Sequence, residues 1–167
     1  MIDPTLLSPT ATDVLTAAGW APGRDIGSGQ LARWRLRYTV AFNGIAASVP
    51  GGAPEGCWNE AADAILRAFG GLVVTQSGAG VDLARNSFVL EPLLLERWAR
   101  PLAIRGQALG TVLAPLGRVE NNAAIAVTSD SRVFLVDHCG EWAYGEGLEQ
   151  GLSDLIDGVL PLTRLAL

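Results

Sequence analysis

Lysine is missing from this chain; all 12 of its basic residues are arginines. That excludes a phosphate-binding loop of the Gly-Lys type. A high-GC coding bias accounts for the absence without any arginine-specific role. Histidine occurs once, at His138, and cysteine twice, at Cys57 and Cys139. Numbers so small exclude a disulfide framework or a cysteine–histidine zinc set. A histidine-based metal site would need carboxylates and a cysteine gathered by the fold, so no metal or cofactor is expected. No apolar run approaches the roughly 20 residues of a membrane span. Met1, Ile2, Asp3 and Pro4 have neither the basic start nor the apolar centre of a signal peptide. A reducing, cytoplasmic setting is the expectation.

Positive charge is also in deficit. Seventeen carboxylates against 12 arginines leave a net charge of -5, which argues against nucleic acid or an anionic membrane as the main partner. A basic protein partner remains compatible with that field.

What the chain does have is apolar substance. Its 167 residues are 49% hydrophobic, with 20 Gly and 9 Pro, which describes one loop-rich globular domain over 1–167. That length buries a core without metal or disulfide staples. The organising stretch is residues 121–137. Two apolar runs, 123–127 and 133–136, flank the polar tetrad Thr128, Ser129, Asp130 and Ser131. β-Branched residues and Phe134 suit strands, and Ser and Asp suit the turn between them, so this predicts a hairpin. Both runs are continuously apolar rather than alternating, which places the hairpin centrally with both faces covered.

The flanking segments read as helices and short strands. Ser8 caps a first helix with Pro9 at its first position, an apolar stripe of Ala11, Val14, Leu15 and Ala18, and a stop at Gly19. Trp20, just past that stop, is expected to be buried against the sheet. A second helix from Ser28 carries Leu31, Trp34, Tyr38, Ala41 and Phe42 on one face. Its arginines with interleaved aromatics hint at nucleic acid, but the helical period and the acidic balance favour core packing. Residues 43–56 read as a loop. Asn59 caps a third helix with core positions Ala62, Ile65, Leu66 and Phe69. Strands follow at 72–75 and 87–90.

Pro92 opens a fourth helix with Leu94, Leu95 and Trp98 facing inward, and Pro101 is expected to break or kink it. Residues 113–119 read as an edge-like strand, since Pro115 donates no ladder bond. Leu148, Leu152, Leu155, Ile156 and Val159 mark an amphipathic last helix. The fold class is α+β: a mainly antiparallel sheet with a central hairpin and helices packed on it.

Chemistry is scarce. His138 and Cys139 are adjacent, and on a strand they would point to opposite faces, unable to share a ligand. Gly78, Ala79 and Gly80 follow a strand, but the third glycine of a dinucleotide fingerprint would fall at Leu83, so a turn is the better reading. Gly27, Ser28 and Gly29 lack the nucleophile-elbow form. No catalytic residue stands out. The segment after the hairpin is the candidate partner surface: Asp137, Glu141, Trp142, Tyr144 and Glu146 set carboxylates beside aromatics. The competing reading makes Trp142 and Tyr144 alternate residues of a further strand lying under a helix.

The punctuation of the chain resembles a known family. Ala17, Ala18, Gly19, Trp20, Ala21, Pro22, Gly23 and Arg24 resemble the signature opening of the third subfamily of the SUKH superfamily of bacterial immunity proteins. Phe69, Gly70, Gly71 and Leu72 are similar to its helix-to-strand junction, residues 113–117 to its segment before the hairpin, and 123–136 to the hairpin itself. Two departures stand out: the turn at Ser129, Asp130 and Ser131 lacks a glycine, and region 41–56 is longer than usual.

The resemblance implies a non-catalytic protein that binds and neutralises a cognate toxin, commonly a nuclease or deaminase domain and so a basic one. One alternative is an interaction scaffold of the cell-wall-assembly-regulator type. Another is a small acid–base enzyme using His138 with Asp137 or Glu141.

Overall fold

The computed structural model describes residues 2–165, with side chains described as far as Leu162. Among the described residues seven strands form one antiparallel sheet: β1 (Val73–Val74), β2 (Phe88–Val89), β3 (Ala114–Val119), β4 (Ala124–Val127), β5 (Val133–Asp137), β6 (Gly140–Tyr144) and β7 (Thr163–Leu165). Every strand pairs with its sequence neighbour. Five α-helices accompany it: α1 (Pro9–Ala17), α2 (Ser28–Ile45), α3 (Glu60–Phe69), α4 (Ala99–Ala108) and α5 (Leu148–Asp157). This is the expected α+β architecture.

The predicted hairpin is β4–β5, and β4 is the middle strand of the seven. Its alternation explains why its sequence is apolar throughout. Ile125 and Val127 point into a core shared with α1, α3 and α5, while Ala124 and Ala126 point into a second core with α2, α4 and the 3-10 segment Pro92–Trp98. Successive strand residues face opposite sides, so a strand covered on both must be apolar at every position. The second core is built around Phe134, which lies between Ala126 on one neighbouring strand and Ala143 on the other. Short side chains on both flanks leave space for the ring.

The helix ends obey their local chemistry. The Ser8 hydroxyl accepts the Ala11 amide at 3.0 Å, and the Asn59 carboxamide accepts that of Ala62 at 2.9 Å. Asn59 also donates to the Val127 carbonyl at 3.0 Å, tying the start of α3 to the end of β4. Gly19 takes the left-handed conformation that stops α1, with φ of 96°. Beyond it Trp20 is buried, as expected, with its ring on Phe69 of α3, centroid to centroid 5.5 Å, in the core that the helices share with the sheet. Arg24 then donates to the carbonyls of Ala68 and Gly70 at 2.9 and 2.7 Å, closing the carboxyl end of α3.

Several expectations are corrected. Helix α2 continues through Asn43 and Gly44 to Ile45, and a 3-10 turn (Ala46–Ser48) follows, so the long loop is shorter than the Gly content suggested. The segment from Pro92 is a 3-10 helix in which Leu95 is buried but Leu94 is exposed, because three residues per turn rotate the inward face away from Leu94. Pro101 neither breaks nor kinks α4. It stands in the first turn, where a missing N–H leaves no hydrogen bond unmade.

Strand β3 is internal rather than an edge. Strand β2 pairs only with Arg118 and Val119, so Pro115 has an unpaired side, and the β3–β4 register shifts between Pro115 and Gly117. The last helix ends at Asp157, before Val159, because Gly158 turns left-handed at φ 70°.

The hairpin turn carries strain that its sequence makes visible. Ser131 holds φ at 69° while its N–H donates to the Thr128 carbonyl. A left-handed conformation costs a residue with a Cβ roughly 1–2 kcal/mol, and glycine's extra freedom in the unfolded chain offsets part of the gain from removing it. Ser131→Gly should therefore stabilise the protein by about 0.5–1 kcal/mol, read as a higher urea midpoint at unchanged slope. Trp20→Ala should destabilise it by roughly 3–5 kcal/mol, as for other large aromatics removed from cores. Equilibrium denaturation followed by circular dichroism measures both.

Candidate partner-binding surface

The five residues expected to meet a partner do not share one surface. Strand β6 is an internal strand, covered by β5 and β7 at its edges. Glu141 is 0% exposed and lies 2.9 Å from Arg105 of α4, forming an ion pair within the second core. Tyr144 is buried, and Trp142 is half-buried in register with Leu135 on the first core's side. Burial and the neighbouring Asp154 carboxylate both push the Tyr144 hydroxyl above its ordinary pKa, so it stays a neutral phenol. The reading of Trp142 and Tyr144 as alternate residues of a strand under a helix is the one the fold adopts, with α5 lying above them.

Asp137 and Glu146 remain outside the core, at opposite ends of β6. Asp137 accepts the amides of Cys139 and Gly140 in the tight β5–β6 turn, and Glu146 is exposed in the turn that enters α5.

The β5–β6 turn also corrects a point of geometry. His138 and Cys139 are its two loop residues, not strand residues, so both face solvent. Donor atoms of Asp137, His138 and Cys139 lie within 4.8 Å of one another. A turn gathers side chains that a strand would separate. One Asp137 oxygen is engaged by two amides, and among the described residues no fourth His, Cys or carboxylate joins the group.

A surface hollow of about 520 Å³ runs past Ile2, Trp20, Arg24, Asp63 and Arg67; another of about 450 Å³ lies between Gly106, Thr111 and Ser129. His138 lines neither of them. The Gly78–Gly80 stretch opens a small hairpin turn, as the spacing predicted, with an isolated bridge between Ala79 and Ala84.

Charge sorts the surface more sharply than shape. On the α2–α3 side three carboxylates are matched: Asp63 with Arg35, Glu96 with Arg37, Asp25 with Arg67. After Val119 the chain carries eight carboxylates and two arginines, a net of -6, while the residues before it sum to +1. Among the described residues, Glu146, Glu149 and Asp157 along α5 enter no ion pair.

The family model for SUKH-3 immunity proteins matches residues 7–158. The chain belongs to that family. Neither a curated protein nor a solved structure matches it. Membership makes it a non-catalytic protein and implies neutralisation of a polymorphic toxin, hence a cognate toxin as partner. It also sets aside an acid–base enzyme built on His138.

In this SUKH-3 protein two of the segments that carry the family likeness touch each other. Trp20 and Arg24 come from the first and Phe69 and Gly70 from the second, so those motifs build the scaffold.

The Arg105–Glu141 pair can be tested directly. Removing one member leaves a charge buried without its counterion, at a cost of about 3–5 kcal/mol, while replacing both with apolar groups is often neutral. Arg105→Met should lose that amount in urea denaturation, and Arg105→Met with Glu141→Leu should recover most of it.

Proposed function

We propose that the cognate toxin is a basic domain acting on nucleic acid, a nuclease or a deaminase, and that this protein neutralises it by covering its cleft with the acidic α5 side. The supporting observation is the charge distribution. Three carboxylates on the α2–α3 side are neutralised by their own arginines, whereas Glu146, Glu149 and Asp157 present charge without an internal counterion. A cleft that holds phosphates is lined by positive groups, and an acidic surface competes for the same field. Of the five residues proposed from the sequence, Glu146 belongs to this surface. Glu141, Trp142 and Tyr144 act behind it, holding β6 under α5 and against α4. Asp137, at the far end of β6, is not required by it.

Electrostatic complementarity acts mainly on the rate of association. The toxin domain encoded beside this gene should co-purify with the protein, and stoichiometric addition should abolish its cleavage or deamination of nucleic acid. Raising salt from about 50 to about 500 mM should slow association roughly tenfold or more. A Glu146→Gln and Glu149→Gln double variant should associate more slowly and with a weaker salt dependence. A toxin without activity on nucleic acid, or association indifferent to salt, would overturn the proposal and leave the family assignment standing.

A further inference from the structure

Residues 78–85 fold into a small hairpin that docks on the carboxyl end of α5. Three successive amides cap the helix: Val81 donates to the Asp157 carbonyl at 2.9 Å, and Asp82 and Leu83 both donate to the Gly158 carbonyl at 2.8 Å. The Asp82 carboxylate answers by accepting the Leu160 amide at 2.9 Å. The two backbones approach so closely that a side chain at Gly80 or Gly158 would collide with the other strand of the joint. Within the hairpin, Gly80 donates to Leu83 and Arg85 to Gly78. A loop fixed by so many backbone bonds has little freedom left to lose on binding.

This rigid joint presents apolar side chains to solvent. Val81 is 68% exposed, Leu83 41% and Leu160 58%. Leu162, two residues on, is exposed as well. A hairpin that needs its amides for capping does not need Val and Leu at its tip, where polar turn residues would serve and would be better solvated. Carboxylates border the patch: the exposed Asp82, which accepts the Leu160 amide, and the half-buried Asp157 at the end of α5.

We infer that this joint is the apolar anchor of the toxin interface, and that its occupant is a basic toxin surface. Val81, Leu83 and Leu160 enter an apolar depression there, and arginines or lysines of the toxin pair with Asp82 and Asp157. A second copy of this chain is the weaker occupant, because a two-fold contact would set Asp82 and Asp157 against their own copies. The inference rests on the reading of a basic toxin as partner. It adds what a charged rim lacks, an apolar centre from which water is excluded.

The experiment uses the full chain and a catalytically inactive form of the toxin domain encoded beside it. Val81→Ser with Leu160→Ser should leave the thermal midpoint unchanged, since both side chains are exposed, yet speed dissociation roughly tenfold or more. Leu36→Ser with Val40→Ser, on the exposed face of α2, should leave dissociation as in the parent. A Val81→Ser, Leu160→Ser protein that binds like the parent would overturn the anchor while the toxin reading stands. A parent that does not bind the toxin at all would overturn both. Concentration-dependent dimers that the Val81→Ser, Leu160→Ser change dissolves, with toxin binding intact, would assign the patch to self-association and overturn the anchor.

Discussion

The fold is held in register by the closure of one helix end. Arg24 reaches the carbonyls of Ala68 and Gly70, Trp20 lies on Phe69, and the Ile26 amide donates to the Arg67 carbonyl. One short segment after α1 thus satisfies the orphan carbonyls of α3 and covers its last aromatic. The next amide along, that of Gly71, donates to the Leu90 carbonyl and begins the sheet. Helix layer and sheet are joined at a single junction, and Gly70 lies so close to the Trp34 ring that no side chain fits there. Loss of this closure would free α1, expose the end of α3 and loosen the entry to β1 together.

A second constraint comes from covering both faces of a meander. A strand at the middle of such a sheet cannot alternate polar and apolar residues, so β4 is apolar throughout and the two cores differ by size instead. Large residues of α1, α3 and α5 fill one side, and alanines on β4 and β6 admit Phe134 on the other. Helix α2 serves both, with Leu31 and Trp34 in the first core and Tyr38 and Phe42 in the second. Its helical period kept these aromatics in line while its arginines stayed outside, two of them, Arg35 and Arg37, paired with Asp63 and Glu96.

Much of this was legible because the signals are local. Caps at Ser8 and Asn59, the stop at Gly19 and the polar tetrad of the hairpin each act within a few residues. The candidate surface was less legible because its signals are not local. Glu141 beside Trp142 has the composition of a binding patch, and nothing near it in sequence reveals that Arg105 meets it inside the core. His138 and Cys139 were misplaced by one structural step: a strand separates neighbours and a turn collects them, and a two-residue turn without glycine gives little warning. The capping role of Val81, Asp82 and Leu83 leaves no trace in sequence, since it uses backbone amides alone.

The division of labour that results bears on how such a protein binds a partner. Three carboxylates on the α2–α3 side are held in internal pairs with arginines. The α5 side keeps its carboxylates unmatched and ends in a joint whose backbone is fully engaged while its apolar side chains are not. Long-range charge steers an encounter but discriminates poorly among basic proteins. A rigid apolar centre discriminates well but gives no steering of its own. On the proposed reading, setting the one at the end of the other lets the field gather partners and the joint choose among them, without asking the Trp20–Arg24 closure to change when the partner does.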